Sequence, residues 1–149
     1  MSEKTGDTQL AFYFVDVFSD KPLTGNPITL VPDAERVEES KMQAIAREFN
    51  QSETTFLLPP TRSGADCQLR SFTPAGKKAF GAGHNALGAW WWLAESGRLH
   101  LEVPGGRFAQ QIGERYMTIC RNWVPRSVSG GNAQISGRCV VSAHGVLHL

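Results

Sequence analysis

Glu53 stands in Asn50-Gln51-Ser52-Glu53-Thr54-Thr55-Phe56, a lone carboxylate between the end of one amphipathic run and the start of an apolar one. A carboxyl at such a junction can be partly desolvated, which raises its pKa toward the range useful for general acid/base work. An acid there could equally be solvated or bonded within a turn, and spacing alone leaves both roles open. A second cluster, Phe80-Gly81-Ala82-Gly83-His84-Asn85-Ala86-Leu87-Gly88, opens a second helical run with a glycine-rich turn. Backbone N–H groups at Gly83, His84 and Asn85, aided by the positive end of a helix, would bind a carboxylate or phosphate. His84 at that mouth could hold or move a proton near neutral pH, or simply cap and pack the helix. Arg70, in Leu69-Arg70-Ser71-Phe72-Thr73-Pro74, offers a guanidinium that could pair bidentately with a substrate carboxylate, although an outward strand arginine is the commoner case.

Other chemistries fit poorly. The glycine spacing is neither a dinucleotide GxGxxG nor a P-loop ending in GK[ST], so neither NAD nor ATP is expected, and no cofactor is implied. His100, His144 and His148 lack the i, i+4 spacing or cysteine neighbours of a zinc site, so no metal is expected. Cys67, Cys120 and Cys139 are odd in number and widely spaced, and read as reduced, mostly packed thiols. Trp90-Trp91-Trp92 reads as core, since it lies on an apolar helix. With 15 Lys+Arg against 14 Asp+Glu and no long run of either sign, nucleic acid is not an expected partner. The longest apolar stretch, residues 86–94, falls far short of a bilayer span, and Met1-Ser2-Glu3-Lys4 lacks a signal core. Neither a membrane association nor secretion is expected, and the cytoplasm is the expected location.

The elements that must position these residues follow from periodicity and punctuation. Residues 1–9 are polar and are expected to fray. Strands are predicted at 10–18 and 28–31, joined by the turn Lys21-Pro22-Leu23-Thr24-Gly25-Asn26-Pro27. Met42, Ile45, Ala46 and Phe49 recur at helical spacing and predict a helix over 38–50. Residues 54–58, stopped by Pro59-Pro60, and residues 67–72 predict a hairpin. A second helix is predicted over 84–96, capped by Gly97. That helix is apolar almost all round and must be enclosed, which a sheet curled around it achieves. Further strands are predicted at 99–103, 116–121 and 140–149, the last with a turn at Gly145. Residues 124–132, rich in Pro, Ser and Gly, read as a linker. At 149 residues the chain fits a single domain, taken as 10–149.

Val15-Asp16-Val17-Phe18, Leu23-Thr24-Gly25-Asn26-Pro27, Met42-Gln43-Ala44-Ile45-Ala46-Arg47-Glu48-Phe49-Asn50, Ser52-Glu53-Thr54-Thr55-Phe56, Arg70-Ser71-Phe72-Thr73-Pro74 and Gly83-His84 occur in the order and spacing of one family. Over roughly residues 10–122 the chain resembles the N-terminal half of PhzF-like (phenazine biosynthesis F) proteins of the diaminopimelate-epimerase superfamily. The resemblance implies an α+β fold: a curled, mostly antiparallel sheet, a partial barrel, around a central apolar helix, forming a single lobe. It implies Glu53 as the proton-transfer residue, with Gly83, His84, Asn85, Arg70 and Thr73 around a small, cyclic carboxylic acid and no cofactor. Ala82 falls where epimerase relatives carry a catalytic cysteine, so thiol-based racemisation is not implied.

Family members carry a second, similar lobe with an Asp-x-x-Thr-Gly-Ser motif facing the glutamate, and no such string occurs here. Residues 132–149 resemble the family's closing C-terminal strands and are expected to pair with residues 10–31 around helix 84–96, with 124–132 in place of the second lobe. Lys77 and Lys78 stand where relatives often have an acid, which bears on substrate charge preference. The expected function is isomerase-type proton transfer, impaired by the missing lobe. The alternative is an inactive binding or interaction module that keeps the fold, or a truncated gene product. A cleft face without its partner lobe is expected to self-associate.

Overall fold

Aromatic and β-branched side chains favour an extended chain, and Gln9–Val17 forms strand β1. A turn leads to β2 (Asn26–Val31), antiparallel to it. Helix α1 (Glu39–Phe49) then buries Met42, Ile45 and Ala46 and carries the chain to β3 (Thr54–Leu58), parallel to β2. Strand β4 (Cys67–Phe72) returns antiparallel to β3, and the short β5 (Lys78–Ala79) turns back on it. Helix α2 (Gly83–Glu95) is followed by β6 (Arg107–Ile112), parallel to β4, and by β7 (Arg115–Cys120). A separate two-stranded sheet joins β8 (Ser127–Gly130) to β9 (Ala133–Ser136), and β10 (Cys139–His148) completes the order. The computed structural model describes residues 8–80, 83–99, 107–113, 115–120, 127–130 and 133–149.

The main sheet has eight strands in the order β10-β1-β2-β3-β4-β6-β7, with β5 beside β4. Two crossovers, β2-α1-β3 and β4-α2-β6, step the same way along it, but β4 runs opposite to β3. Crossovers of one hand must then place their helices on opposite faces. The packing agrees. Val17, Ile28, Leu30, Leu57 and Leu69 pack against Ala86, Leu87, Trp90 and Leu93 of α2, whereas Val31, Phe56 and Phe72 pack against Met42, Ile45 and Ala46 of α1. Helix α2 is enclosed as its composition requires: Gly88 lies so close to the sheet that a Cβ there would come 2.6 Å from Ile28 Cδ1. The sheet curls without closing into a barrel. Gly97, at φ 72, ends α2 in the left-handed region, and the Arg98 N–H reaches back to the Leu93 carbonyl at 3.1 Å. No helix among the described residues is long and apolar enough to cross a membrane.

Several expectations need correction. Gly145 is no turn; it lies inside β10 opposite Phe12, whose ring occupies the space a side chain would need. Only part of 132–149 joins the main sheet: β10 pairs with β1, whereas β9 pairs with β8. Strand β6 is not among the predicted strands, and it carries two adjacent glutamines, Gln110 and Gln111. Both are buried and bonded, Gln110 accepting the Trp90 indole N–H and Gln111 giving and accepting hydrogen bonds with Thr61. Within 124–132, residues 127–130 are strand β8. Of the strand predicted at 99–103, residues 100–103 lie outside the described residues, as do Gly81 and Ala82.

Candidate active site

Strand register brings one end of the sheet together: β1 ends at Val17 beside Asn26 and Cys139, and β3 begins at Thr54 beside Thr29 and Phe72. Helix α1 delivers the chain to this end. Asn50 stops it at φ 51, a left-handed conformation that asparagine tolerates, with its N–H on the Ala46 carbonyl. The Ser52 hydroxyl then donates to the Pro27 carbonyl at 3.1 Å, and the Glu53 carbonyl accepts the Thr29 N–H at 3.1 Å. The main chain on both sides of the Glu53 side chain is therefore tied to β2. Alternation does the rest, since Phe56 faces α1 and residues of the opposite parity, Glu53 and Thr55, face α2.

Helix α2 starts at this same end and sets His84 against Glu53, with Nε2 3.8 Å from Oε2. Their side chains are only 16% and 12% exposed, respectively. Both of these atoms are buried without a hydrogen-bond partner among the described residues. Burial raises the Glu53 pKa above its ordinary value and lowers that of His84. An ion pair would drive the two values the other way, so burial outweighs the attraction across 3.8 Å. Burial thus favours the uncharged form of both groups, a carboxyl shifted upward facing an imidazole shifted downward. Such a carboxyl can act as an acid, and once ionised as a comparatively strong base.

The remaining sequence-flagged residues are distributed around this pair. Gly83 opens α2, and Asn85 lies one residue past His84 with its side chain 1% exposed, donating to Ser71 Oγ. Thr73 organises the turn into β5: its N–H donates to the Lys77 carbonyl, and its carbonyl and hydroxyl accept the N–H groups of Gly76 and Lys77. Arg70 is not brought to the pair. It has the parity of Phe72, on the α1 face, and lies 3.8 Å from Glu39 Oε2, an oxygen that Lys78 approaches at 2.8 Å. Strand parity could have shown this, since Arg70 stands between Leu69 and Ser71, both on the α2 side. Arg70, Ser71 and Lys78 also line a cavity of about 90 Å³ beside β4. The carboxylate of Glu39 was not singled out from sequence. The Thr55–Ser71 pair was also missed, although its cross-strand register follows once β3 and β4 are paired. No group of three or more His, Cys, Asp or Glu side chains able to hold a metal ion occurs among the described residues.

A family model described as phenazine biosynthesis-like protein (PhzC-PhzF) matches residues 15–119. The chain belongs to this family. Antisense-enhancing sequence 1 of Schizosaccharomyces pombe is 43% identical over 90 residues, covering 60% of this chain and 30% of that protein. Trans-2,3-dihydro-3-hydroxyanthranilate isomerase of Pseudomonas chlororaphis is 41% identical over 104 residues, covering 68% and 37%. Among solved structures, a PhzF-family phenazine biosynthesis protein from Bacillus anthracis matches with a TM-score of 0.68 at 29% identity, over 80% of this chain and 38% of that one. The chain thus matches between 30% and 38% of the length of these relatives. The fold described above is shared with the matched part of that PhzF-family structure.

Proposed function

We propose that Glu53 and His84 form one side of an acid/base isomerase site for a small, cyclic carboxylic acid. The observation that carries this reading is the buried pair itself: a carboxyl and an imidazole with facing, unpartnered atoms 3.8 Å apart at the mouth of a helix. Family membership supports it, as does the Pseudomonas relative whose name denotes isomerisation of a ring carboxylic acid. In the proposed reaction ionised Glu53 takes a proton from a ring carbon and returns it to another. The N–H groups of Gly83 and His84, at the positive end of α2, hold the substrate carboxylate. His84, kept neutral by burial, orients the reacting end by hydrogen bonding. Arg70 and Thr73 lie outside this contact set.

This chain supplies the acid/base residue, and full turnover requires an opposing surface to exclude water and stabilise the developing charge. The chain's short span relative to its relatives also favours a second reading, a module that retains the fold and binds without turning over. A chimera separates them, with this chain replacing the matching part of the Pseudomonas isomerase. In deuterated water with trans-2,3-dihydro-3-hydroxyanthranilate, the chimera is expected to exchange solvent hydrogen at carbon, and the chain alone to show little exchange. Glu53→Gln in the chimera is expected to cost roughly 10²–10⁴-fold. An exchange rate unaffected by Glu53→Gln sinks the acid/base reading, and rapid exchange by the chain alone sinks the need for an opposing surface.

A further inference from the structure

Beside the Glu53–His84 pair, two residues past Glu53 and one past His84, a second polar link joins the same parts of the fold. Thr55 and Ser71 are direct cross-strand partners in β3 and β4, and their hydroxyls lie 2.8 Å apart. The Asn85 side-chain amide donates to Ser71 Oγ at 2.9 Å, and its carbonyl oxygen accepts the Ala86 N–H at 2.8 Å. All are buried, with Thr55 0%, Ser71 3% and Asn85 1% exposed. Thr55 is two residues from Glu53, and Asn85 is next to His84.

We infer that Thr55, Ser71 and Asn85 are positioning residues, whose hydrogen-bond chain pins the first turn of α2 to β3 and β4 and so fixes where His84 stands relative to Glu53. This rests on reading that pair as the acid/base site. The physical argument starts from the pair's separation. Two buried polar atoms without partners would gain by closing from 3.8 Å to a hydrogen bond of about 2.8 Å, so the framework must hold them apart. On the Glu53 side the framework is the tie to β2 through the Ser52 hydroxyl on the Pro27 carbonyl and the Glu53 carbonyl on the Thr29 N–H. On the His84 side the rest of the contact close to the first turn is apolar, with Leu57, Leu69 and Leu87 packed together, and the next polar tie, the Trp90 indole N–H on Gln110, lies further along α2. Apolar contact is non-directional and permits sliding, whereas donors and acceptors in fixed positions do not.

Two consequences follow for the site. The Asn85 side chain is committed to Ser71 and Ala86, so it acts through His84 and does not contact substrate. The Ala86 N–H is also committed, which confines anion binding at the mouth of α2 to the N–H groups before it.

The test reads the His84 ring directly, by nuclear magnetic resonance titration of the whole chain without substrate. Glu53 is the charged group facing His84 among the described residues, so each variant is measured with Glu53 and with Glu53→Gln. Ser71→Ala and Asn85→Ala are expected to move the His84 midpoint upward, toward an ordinary histidine, by about half a unit or more. They are also expected to abolish its dependence on Glu53→Gln. Ser71→Thr, which keeps the hydroxyl, is expected to retain the wild-type midpoint. Thr61→Ala, which removes a part-buried hydrogen bond to Gln111 elsewhere, is expected to leave the midpoint alone and serves as the control for mere destabilisation. Should Asn85→Ala fail to fold, Ser71→Ala with its threonine counterpart decides. An unchanged His84 midpoint in folded Ser71→Ala overturns the inference. Because no turnover is measured, a failure of the isomerase reading in the chimera is a separate result.

Discussion

Placing a carboxyl and an imidazole face to face with little exposure to solvent sets two opposite pH dependences against each other. Glu53 has a folded pKa above its ordinary 4.5, so its contribution to stability is complete below that value and is lost as pH rises through the raised folded value. His84 has a folded pKa below its ordinary 6.5, so its contribution is present above 6.5 and is lost as pH falls through the lowered folded value. Glu53→Gln removes the first dependence and keeps the shape. The variant is therefore expected to gain on the wild type in urea midpoint as pH rises from about 4.5 and to hold that gain above the folded pKa. A difference that is constant across this range would show that Glu53 is not desolvated in solution. Both residues of the pair stand out in sequence as candidates at a junction between a helix and a buried element, but spacing leaves their roles open, and it is the family resemblance that implies Glu53 as the proton-transfer residue. Arg70 was legible as a cation but not as belonging to the other face, because the motif containing it was read without the alternation of its strand.

At the scale of elements, positions without a side chain show where backbone closeness holds the site. A Cβ at Gly25 would lie 2.7 Å from the Val17 carbonyl oxygen and 2.9 Å from Asp16 Cβ, between strands already locked in register by Val17 and Asn26. Neither neighbour can rotate away. At Gly145 the obstacle is the half-buried Phe12 ring, with its Cζ at 2.7 Å, and a ring can turn. Gly25→Ala is accordingly expected to destabilise by about 1–3 kcal/mol, and Gly145→Ala by less than about 1 kcal/mol. Denaturant titration that finds the two equal, or reversed, would show that the β1–β2 turn has more freedom than its packing allows. Gly25 also lies two residues before Pro27, whose carbonyl holds Ser52, so its substitution should disturb the Glu53 main chain as well. Strands β3 and β4 were legible to the residue because Pro59-Pro60 punctuates a short apolar run. Strand β6 was illegible because its buried glutamines satisfy partners far away in sequence, and no local pattern announces such partners.

Over the whole molecule, the sheet end that carries Glu53 and His84 also carries apolar side chains held out into solvent. Phe18 and Leu23 are 51% and 87% exposed, and both adopt left-handed backbone conformations, at φ 63 and φ 68. Such conformations are costly for bulky residues and persist only when the surroundings enforce them. Here the enforcement is visible. The Leu23 N–H donates to the buried Asp16 carboxylate at 2.6 Å, and Ser19 and Thr24 both bond the Lys21 carbonyl. A loop tied in this way cannot fold Leu23 inward to escape water. Phe80, 52% exposed, lies beside Arg70, and the loop between β1 and β2 adds Phe18 and Leu23 to the exposed apolar side chains. Isolated apolar residues on a surface are ordinary, but a rigid pair beside a buried polar site is suited to association. The chain is expected to self-associate through this end, with a sedimentation coefficient that rises with concentration. Leu23→Asp should shift the equilibrium toward monomer without altering the fold, since the Leu23 side chain is almost wholly in solvent. A wild-type chain that stays monomeric at high concentration, or an association that Leu23→Asp leaves untouched, would place the contact elsewhere and leave the strained loop without this role.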